Sequence, residues 1–399
     1  MSVSELSQAA ATIEKRYLDQ ENPDYLTAHA EFSKLISPGD ASESEWGSAT
    51  SGTKNDASSC WKRVTLSEAQ AADEVIARVH KDIESGMEIY DRIINNLMSV
   101  SDHLKSVEGG GTDAKAEETE EGAVNNSWFG NVFTSKSAPA EADDAWKCIF
   151  ETEPGQAEGK AFKKITSKMV EQPDGADPVE ELFGHFCVQM VIDTPMENVM
   201  LQGYEVDLWN TFWFFVRNGY NHGDGHYRAW NQVGYGVTGV PMHLRLQSRM
   251  TRFIDSNRGY IVQFAEPNTE KAEYLDHGDD SNFLDVTSYM AFLPTVTKEG
   301  KAATFLCWYS VFPSGSTWPR WVVDLALDLV FPGLVKGIRD GIQAVQDSEV
   351  HAERKQEDKI GLYKLCRELQ EAGIAYQKET FEKGFRILPC ALPREYFIR

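Results

Sequence analysis

The chain has 399 residues, 41% hydrophobic and 11% aromatic, which is enough for a sizeable core. Its formal net charge of −23 argues against a general nucleic-acid binder, which needs clustered Lys and Arg, and disfavours standing attraction to anionic membranes. The six cysteines form no C-x-x-C pair, no secretory signal opens the chain, and no window approaches the roughly 20 apolar residues of a membrane span. The expectation is a cytoplasmic protein with reduced thiols and no cofactor.

Taken in order, Ser2 with Glu5 reads as a capping box opening a short helix that carries Leu6, Ile13 and Tyr17. Asn22-Pro23 restarts a second helix with Leu26, Phe32 and Leu35, stopped at Pro38-Gly39. Residues 41–60 are Ser/Gly/Thr-rich and read as a linker. Thr65 with Glu68 reads as a second box. It opens a stripe of Val75, Val79, Ile83, Met87, Tyr90, Ile94, Leu97, Ser101 and Leu104 at helical spacing. A helix of about 40 residues would run on the order of 60 Å. Two readings stay open for 65–107: a helix packed on its own protein, or a surface for a protein partner. The acidic 108–127 stretch reads as a second linker, and Trp128, Phe129, Val132 and Phe133 form an apolar island beyond it.

From Ala145 the texture changes to strands. Residues 146–151 and 161–169 are short candidates. In Leu182–Asp193, Phe186, Val188, Met190 and Ile192 share one face, with His185 and Gln189 on the other. Thr194-Pro195 starts a helical stretch running on through Met200, Leu201, Leu208 and Trp209, and Trp213–Val233 has no clear assignment. His243–Ile254 alternates, with Leu244, Leu246, Met250 and Ile254 on one side and Arg245, Gln247, Arg249 and Thr251 on the other, so that these two arginines are expected outside. Asp255–Gly259 reads as a hairpin loop, and Tyr260, Val262 and Phe264 as the inner face of the returning strand. Phe283–Leu293 and Ala302–Phe312 complete a run of strands joined by short loops, the pattern of an antiparallel sheet. Thr317 and Pro319 open a long helix with Trp321, Leu325, Val330, Leu334, Ile338, Ile342 and Val345 on one stripe. Asp324 and Asp328 are expected in solvent, and Pro332-Gly333 marks either a bend over the sheet or a hinge. One further helix is expected through about Glu382, with an extended tail after it.

Chemical motifs are weak. Gly234–Gly239 satisfies G-x-G-x-x-G, but Pro241 and a strand follow where a dinucleotide site needs a helix. His222, Asp224 and His226, with Asp276, His277, Asp279 and Asp280, offer metal-ligand types, but Gly/Asn/Asp runs are also ordinary turn chemistry, and turns are the expectation. No G-x-S-x-G elbow points to a nucleophile.

The order of elements over 143–346 resembles a StAR-related lipid-transfer (START) domain of the helix-grip fold. The resemblance is carried by Trp308-Tyr309-Ser310-Val311-Phe312, then Gly315, Pro319-Arg320-Trp321, and Pro332 with Leu334-Val335-Lys336-Gly337-Ile338-Arg339. Val240-Pro241 before the His243–Ile254 strand is similar to the family's segment after its mouth loop. There are departures. Met242-His243 stands where many members carry an Arg-Asp pair, and the family's strand arginine falls near Ser248 or Arg249, so no polar ligand anchor carries over. The resemblance implies an α+β fold, a curved antiparallel sheet closed by a long C-terminal helix, with helical extensions over 1–142 and 347–399. It also implies a mostly apolar cavity for one lipid: sterol, phospholipid, sphingolipid or isoprenoid pigment. Its wall would comprise Phe186, Val188, Met190, Leu244, Leu246, Met250, Tyr260, Val262, Phe264, Met290, Phe292, Phe305, Cys307 and Tyr309, with Leu306 and Trp308 the alternative if the last strand has the other parity. The lid would comprise Trp321, Leu325, Leu329, Leu334 and Ile338. Soluble lipid binding or transfer with transient membrane contact is the expected function. Alternatives are a scaffold subunit, and a cyclase or hydrolase acting on an apolar substrate.

Overall fold

A computed structural model describes residues 1–19, 23–37, 61, 63–109, 145–152, 159–171, 177–211, 216–222, 227–235, 241–256, 258–267, 282–283, 285–297, 299–313 and 319–382. The 41–60 linker, residues 110–127 of the second linker, the Trp128 island, the 236–239 part of the glycine motif, Asp224, His226, Asp276–Asp280, Gly315, Thr317 and the tail after Glu382 lie outside these residues.

The N-terminal layer is helical. Helix α1 (Val3–Ile13) starts at the expected capping box: Glu5 Oε2 accepts from the Ser2 amide at 2.7 Å, and Ser2 Oγ accepts from the Glu5 amide at 3.3 Å. It passes into a π-helical turn over Glu14–Leu18. Helix α2 (Tyr25–Ile36) is capped by Asp24, which accepts from the Thr27 amide. The second capping box forms at Ser67 and Gln70 rather than Thr65 and Glu68, and it opens only the four-residue α3 (Glu68–Ala71). The Asp73 carboxylate then takes the amides of Val75 and Ile76, and α4 (Glu74–Gly109) begins there. Its stripe of Val79, Ile83, Met87, Tyr90, Ile94 and Leu97 is buried against α1, α2 and the sheet.

The sheet comprises β1 (Lys147–Glu151), β2 (Gly159–Val170), β3 (Val179–Ile192), β4 (Val216–His222), β5 (Tyr227–Tyr235), β6 (Pro241–Asp255), β7 (Tyr260–Pro267), β8 (Asn282–Phe283), β9 (Thr287–Val296) and β10 (Ala302–Pro313). The order is β1-β2-β3-β10-β9-β7-β6-β5-β4; β8 adds a short parallel pairing to β6, and all other pairings are antiparallel. The stretch left unassigned in the sequence forms β4 and β5. Its turns and glycines break the alternation that marks the other strands.

The remaining helices are α5 (Met196–Tyr204), followed by a 3₁₀ turn at Val206–Thr211, then α6 (Arg320–Asp347), α7 (Glu349–Glu357) and α8 (Leu362–Glu382). Helix α6 starts after Pro319, which occupies the cap position, and it runs unbroken through Pro332. The single helix expected after Gln346 is two. Asp358 and Gly361 both take positive φ, 36° and 69°, and this left-handed backbone ends α7 and turns the chain into α8.

Both faces of the sheet are covered. Helices α1, α2 and α4 pack on the outer face with Phe253, Tyr260, Val262, Phe264, Phe305, Cys307 and Tyr309. Helices α5, α6 and α8 pack on the inner face with Phe186, Val188, Met190, Ile261, Phe292 and Leu306. The β6–β7 turn is gripped from both sides. On the outer side Arg258 Nη1 donates to Asp255 (2.8 Å), Tyr260 (3.3 Å) and Tyr90 (3.4 Å), and the Tyr90 and Tyr260 hydroxyls are 2.8 Å apart. On the other side Gly259 meets Gly373 of α8 backbone to backbone, and a Cβ on Gly373 would overlap the Gly259 carbonyl oxygen and the Pro294 ring. Gln370 and Gln377 of α8 donate to the carbonyls of Ala303 (3.0 Å) and Pro294 (2.7 Å).

Replacing Ile94 with Ala deletes a fully buried side chain between α4 and the sheet, and urea denaturation of the full chain is expected to register a loss of about 2–5 kcal/mol. Gly373→Ala forces α8 off the β6–β7 turn and is expected to cost about 1–3 kcal/mol in the same assay. A third expectation concerns pH. Burial, with Arg354 nearby, lowers the pKa of His351 in α7, while Asp207 opposes the shift. The unfolded chain therefore binds this proton more readily. The stability His351 contributes is present above its unfolded pKa, about 6.5, and is lost as pH falls below it. Comparing urea midpoints at neutral and mildly acidic pH, wild type is expected to lose more stability on acidification than His351→Gln.

Candidate functional site

Residues directly opposite on paired strands share a face, so the register assembles the inner surface row by row. One row is wholly apolar: Ile254, Ile261, Phe292, Leu306 and Met190. The next is Arg252, Gln263, Met290, Trp308 and Val188. The third is Met250, Ala265, Ser288, Ser310, Phe186 and Lys163. Ser248 lies two residues beyond Met250 on β6. The surface is therefore apolar at one end and grows polar across the middle.

The polar groups divide into satisfied and unsatisfied. Ser288 and Ser310 bond each other at 2.6 Å, and Thr304 donates to the Thr194 carbonyl at 2.9 Å. Lys163 is buried, and its ammonium lies 2.8 Å from Asp324 and 2.6 Å from Asp328 of α6. The two aspartates expected to stand free in solvent are half-exposed and tie the helix to β2. In contrast, Arg252 Nε, Ser248 Oγ and Trp308 Nε1 are buried with no hydrogen-bond partner among the described residues. Such atoms cost free energy unless something else meets them. Among the described residues Gln263 Nε2 reaches only the Met200 sulfur, at 3.5 Å, a weak acceptor. Two apolar side chains also stand out. Met290 and Trp308 face each other in the middle of the central strands β9 and β10, yet both keep part of their surface accessible.

Arg252 is 8% exposed. Its guanidinium lies 5.5 Å from the ring centroid of Tyr204 at the end of α5, with Tyr363 and Cys366 of α8 nearby. Burial lowers the pKa of Arg252 and pushes the Cys366 thiol up to about 12. Tyr363 donates instead to Glu205 at 2.7 Å, and Arg354 closes that cluster at 3.0 Å from Glu205.

Of the expected wall, Phe186, Val188, Met190, Leu246, Met250, Met290 and Phe292 lie on this inner surface by register. Tyr260, Val262, Phe264, Phe305, Cys307 and Tyr309 do not; they face the other way, under α4. Strands β7 and β10 are apolar at both parities because both faces are covered, so alternation gave no direction. The inner positions are Ile261, Gln263 and Ala265 on β7, and Leu306, Trp308 and Ser310 on β10. Among lid residues, Leu334 and Ile338 are buried on the inner core and Leu325 is half-buried. Trp321 is 57% exposed and covers nothing there. The side chains of Leu244 and Leu329 lie outside the described residues. Arg252 was missed although it shares the parity of Leu246 and Met250; alternation alone places it inward.

No protein-family model and no curated protein matches the chain. Among solved structures it is similar to human STARD10, at 11% identity and a TM-score of 0.35, over 58% of this chain and 83% of that one. It is likewise similar to a STAR-related lipid transfer protein fragment from Xanthomonas axonopodis (10%, TM-score 0.36, 50% and 99%) and to human StAR-related lipid transfer protein 5 (11%, TM-score 0.34, 51% and 88%). Likeness at this level carries no argument by itself; the strand order, and the long helix α6 laid over the inner face after the last strand, describe the fold directly.

Proposed function

We propose that the chain binds one hydrophobic lipid between the inner face of the sheet and helix α6, and carries it between membranes. The observation that supports this most is the incomplete burial of Met290 and Trp308 in the middle of the two central strands. Side chains at such positions are normally closed over by their neighbours. Here they border an apolar row of Ile261, Phe292, Leu306 and Met190, with a few unsatisfied polar atoms alongside. That combination suits an amphiphile, whose apolar part contributes about 0.8 kcal/mol per CH₂ removed from water. The scaffold reading has less support, because the apolar stripe of α4 is already spent on its own sheet. Membrane contact fits one end of the molecule. Trp321 opens α6 there, on the same flank as Asp324 and Asp328, and Met169 stands 59% exposed farther along β2 from Lys163.

The test is transfer of a fluorescent phospholipid or sterol from quenched donor vesicles to acceptor vesicles. Wild type is expected to accelerate transfer. Met290→Trp, which adds bulk beside Trp308, is expected to reduce it at least tenfold while circular dichroism stays unchanged. Trp321→Ala is expected to weaken association with electroneutral vesicles severalfold without altering the fold. Absence of both binding and transfer by the wild-type chain would refute the reading.

A further inference from the structure

Arg252 is the least explained buried side chain among the described residues. It lies in the second inner row, opposite Gln263, and is more than nine-tenths buried. A buried guanidinium normally faces a carboxylate, because an isolated buried charge is costly. Among the described residues no carboxylate forms an ion pair with it, and its Nε meets no acceptor. Lys163, another buried cation on the inner face, shows the usual arrangement: it holds two aspartates. The ring of Tyr204 at 5.5 Å offsets only part of the cost. Glu205 is engaged by Tyr363 and Arg354 instead.

We infer that Arg252 binds the oxyanion of an amphiphilic ligand, in a site walled by Tyr204 from α5 and by Tyr363 and Cys366 from α8. This rests on the lipid-binding reading and narrows it to carboxylate- or phosphate-bearing ligands, against neutral alcohols such as sterols. The planar fork of Arg suits both oxyanions. Trp308 lies three strands away in the same row, about 14 Å at roughly 4.8 Å per strand, so an acyl chain starting at Arg252 would run across Met290 toward it. Helix α8 belongs to the C-terminal extension, which therefore completes the site rather than hanging from it.

The experiment is titration calorimetry of the lipid-extracted full chain with decanoate, decyl phosphate and decan-1-ol, each below its micellar concentration. Wild type is expected to bind one or both anions at least tenfold more tightly than the alcohol. Arg252→Met is expected to abolish that preference while keeping alcohol binding, and Arg252→Lys to retain part of it. Decanoate against decyl phosphate separates a fatty acid from a phospholipid source. Equal affinity of wild type for the alcohol and both anions overturns the assignment of Arg252 without needing a variant, as does a preference that survives in Arg252→Met. Binding of none of the three overturns the lipid-binding reading itself, and this inference with it.

Discussion

A sheet whose central strands are apolar on both faces has to be covered twice. Strands β7, β9 and β10 present Tyr260, Val262, Phe305 and Cys307 on one side and Ile261, Phe292 and Leu306 on the other. Neither set tolerates water, and hydrophobic burial is the largest favourable contribution to such a fold. The rest of the chain answers that demand. The N-terminal α1, α2 and α4 close the outer face, and α5, α6 and α8 close the inner one. The extensions at both ends are therefore structural partners of the sheet. The β6–β7 turn shows the dependence most clearly: a Tyr-Tyr-Arg-Asp network holds it to α4, and a glycine-to-glycine approach holds it to α8.

The two covers differ in quality, and the difference is where function enters. The outer layer is closely packed, with Tyr90, Ile94 and Leu97 fully buried. The inner layer leaves Met290 and Trp308 partly accessible and strands polar atoms on Arg252, Ser248 and Trp308, against Gln247 Nε2 on the outer side. An imperfect interior of this kind is expensive in a protein that has nothing to hold. The ion pairs of Lys163 with Asp324 and Asp328 anchor the N-terminal half of α6 over this layer, at one edge of the sheet.

The sequence carried the element order well. Strong periodicity identified α4, β3, β6 and α6, and glycine and proline punctuation identified the turns at Gly259 and Gly300. It carried facing poorly. Where one face was polar, as with His185 and Gln189 on β3, alternation gave the correct side. Where both faces were largely apolar, as on β7 and β10, the two parities looked alike, and Tyr260, Val262 and Phe264 were read as inward although they pack under α4. Arg252 was passed over, although Leu246 and Met250 fix the parity that places it inward. The single long C-terminal helix was a different kind of error. Asp358 and Gly361 adopt left-handed backbone, a habit expected of glycine but seldom of a residue inside a helical run.

The central claim is that the inner face holds a lipid. Native mass spectrometry of the full chain, purified without detergent from its own cells, addresses it directly. The account predicts a population heavier than the polypeptide by the mass of one lipid, released on denaturation and carrying a carboxylate or phosphate. A spectrum showing only the bare polypeptide mass, from protein that also fails to take up added lipid, would contradict it.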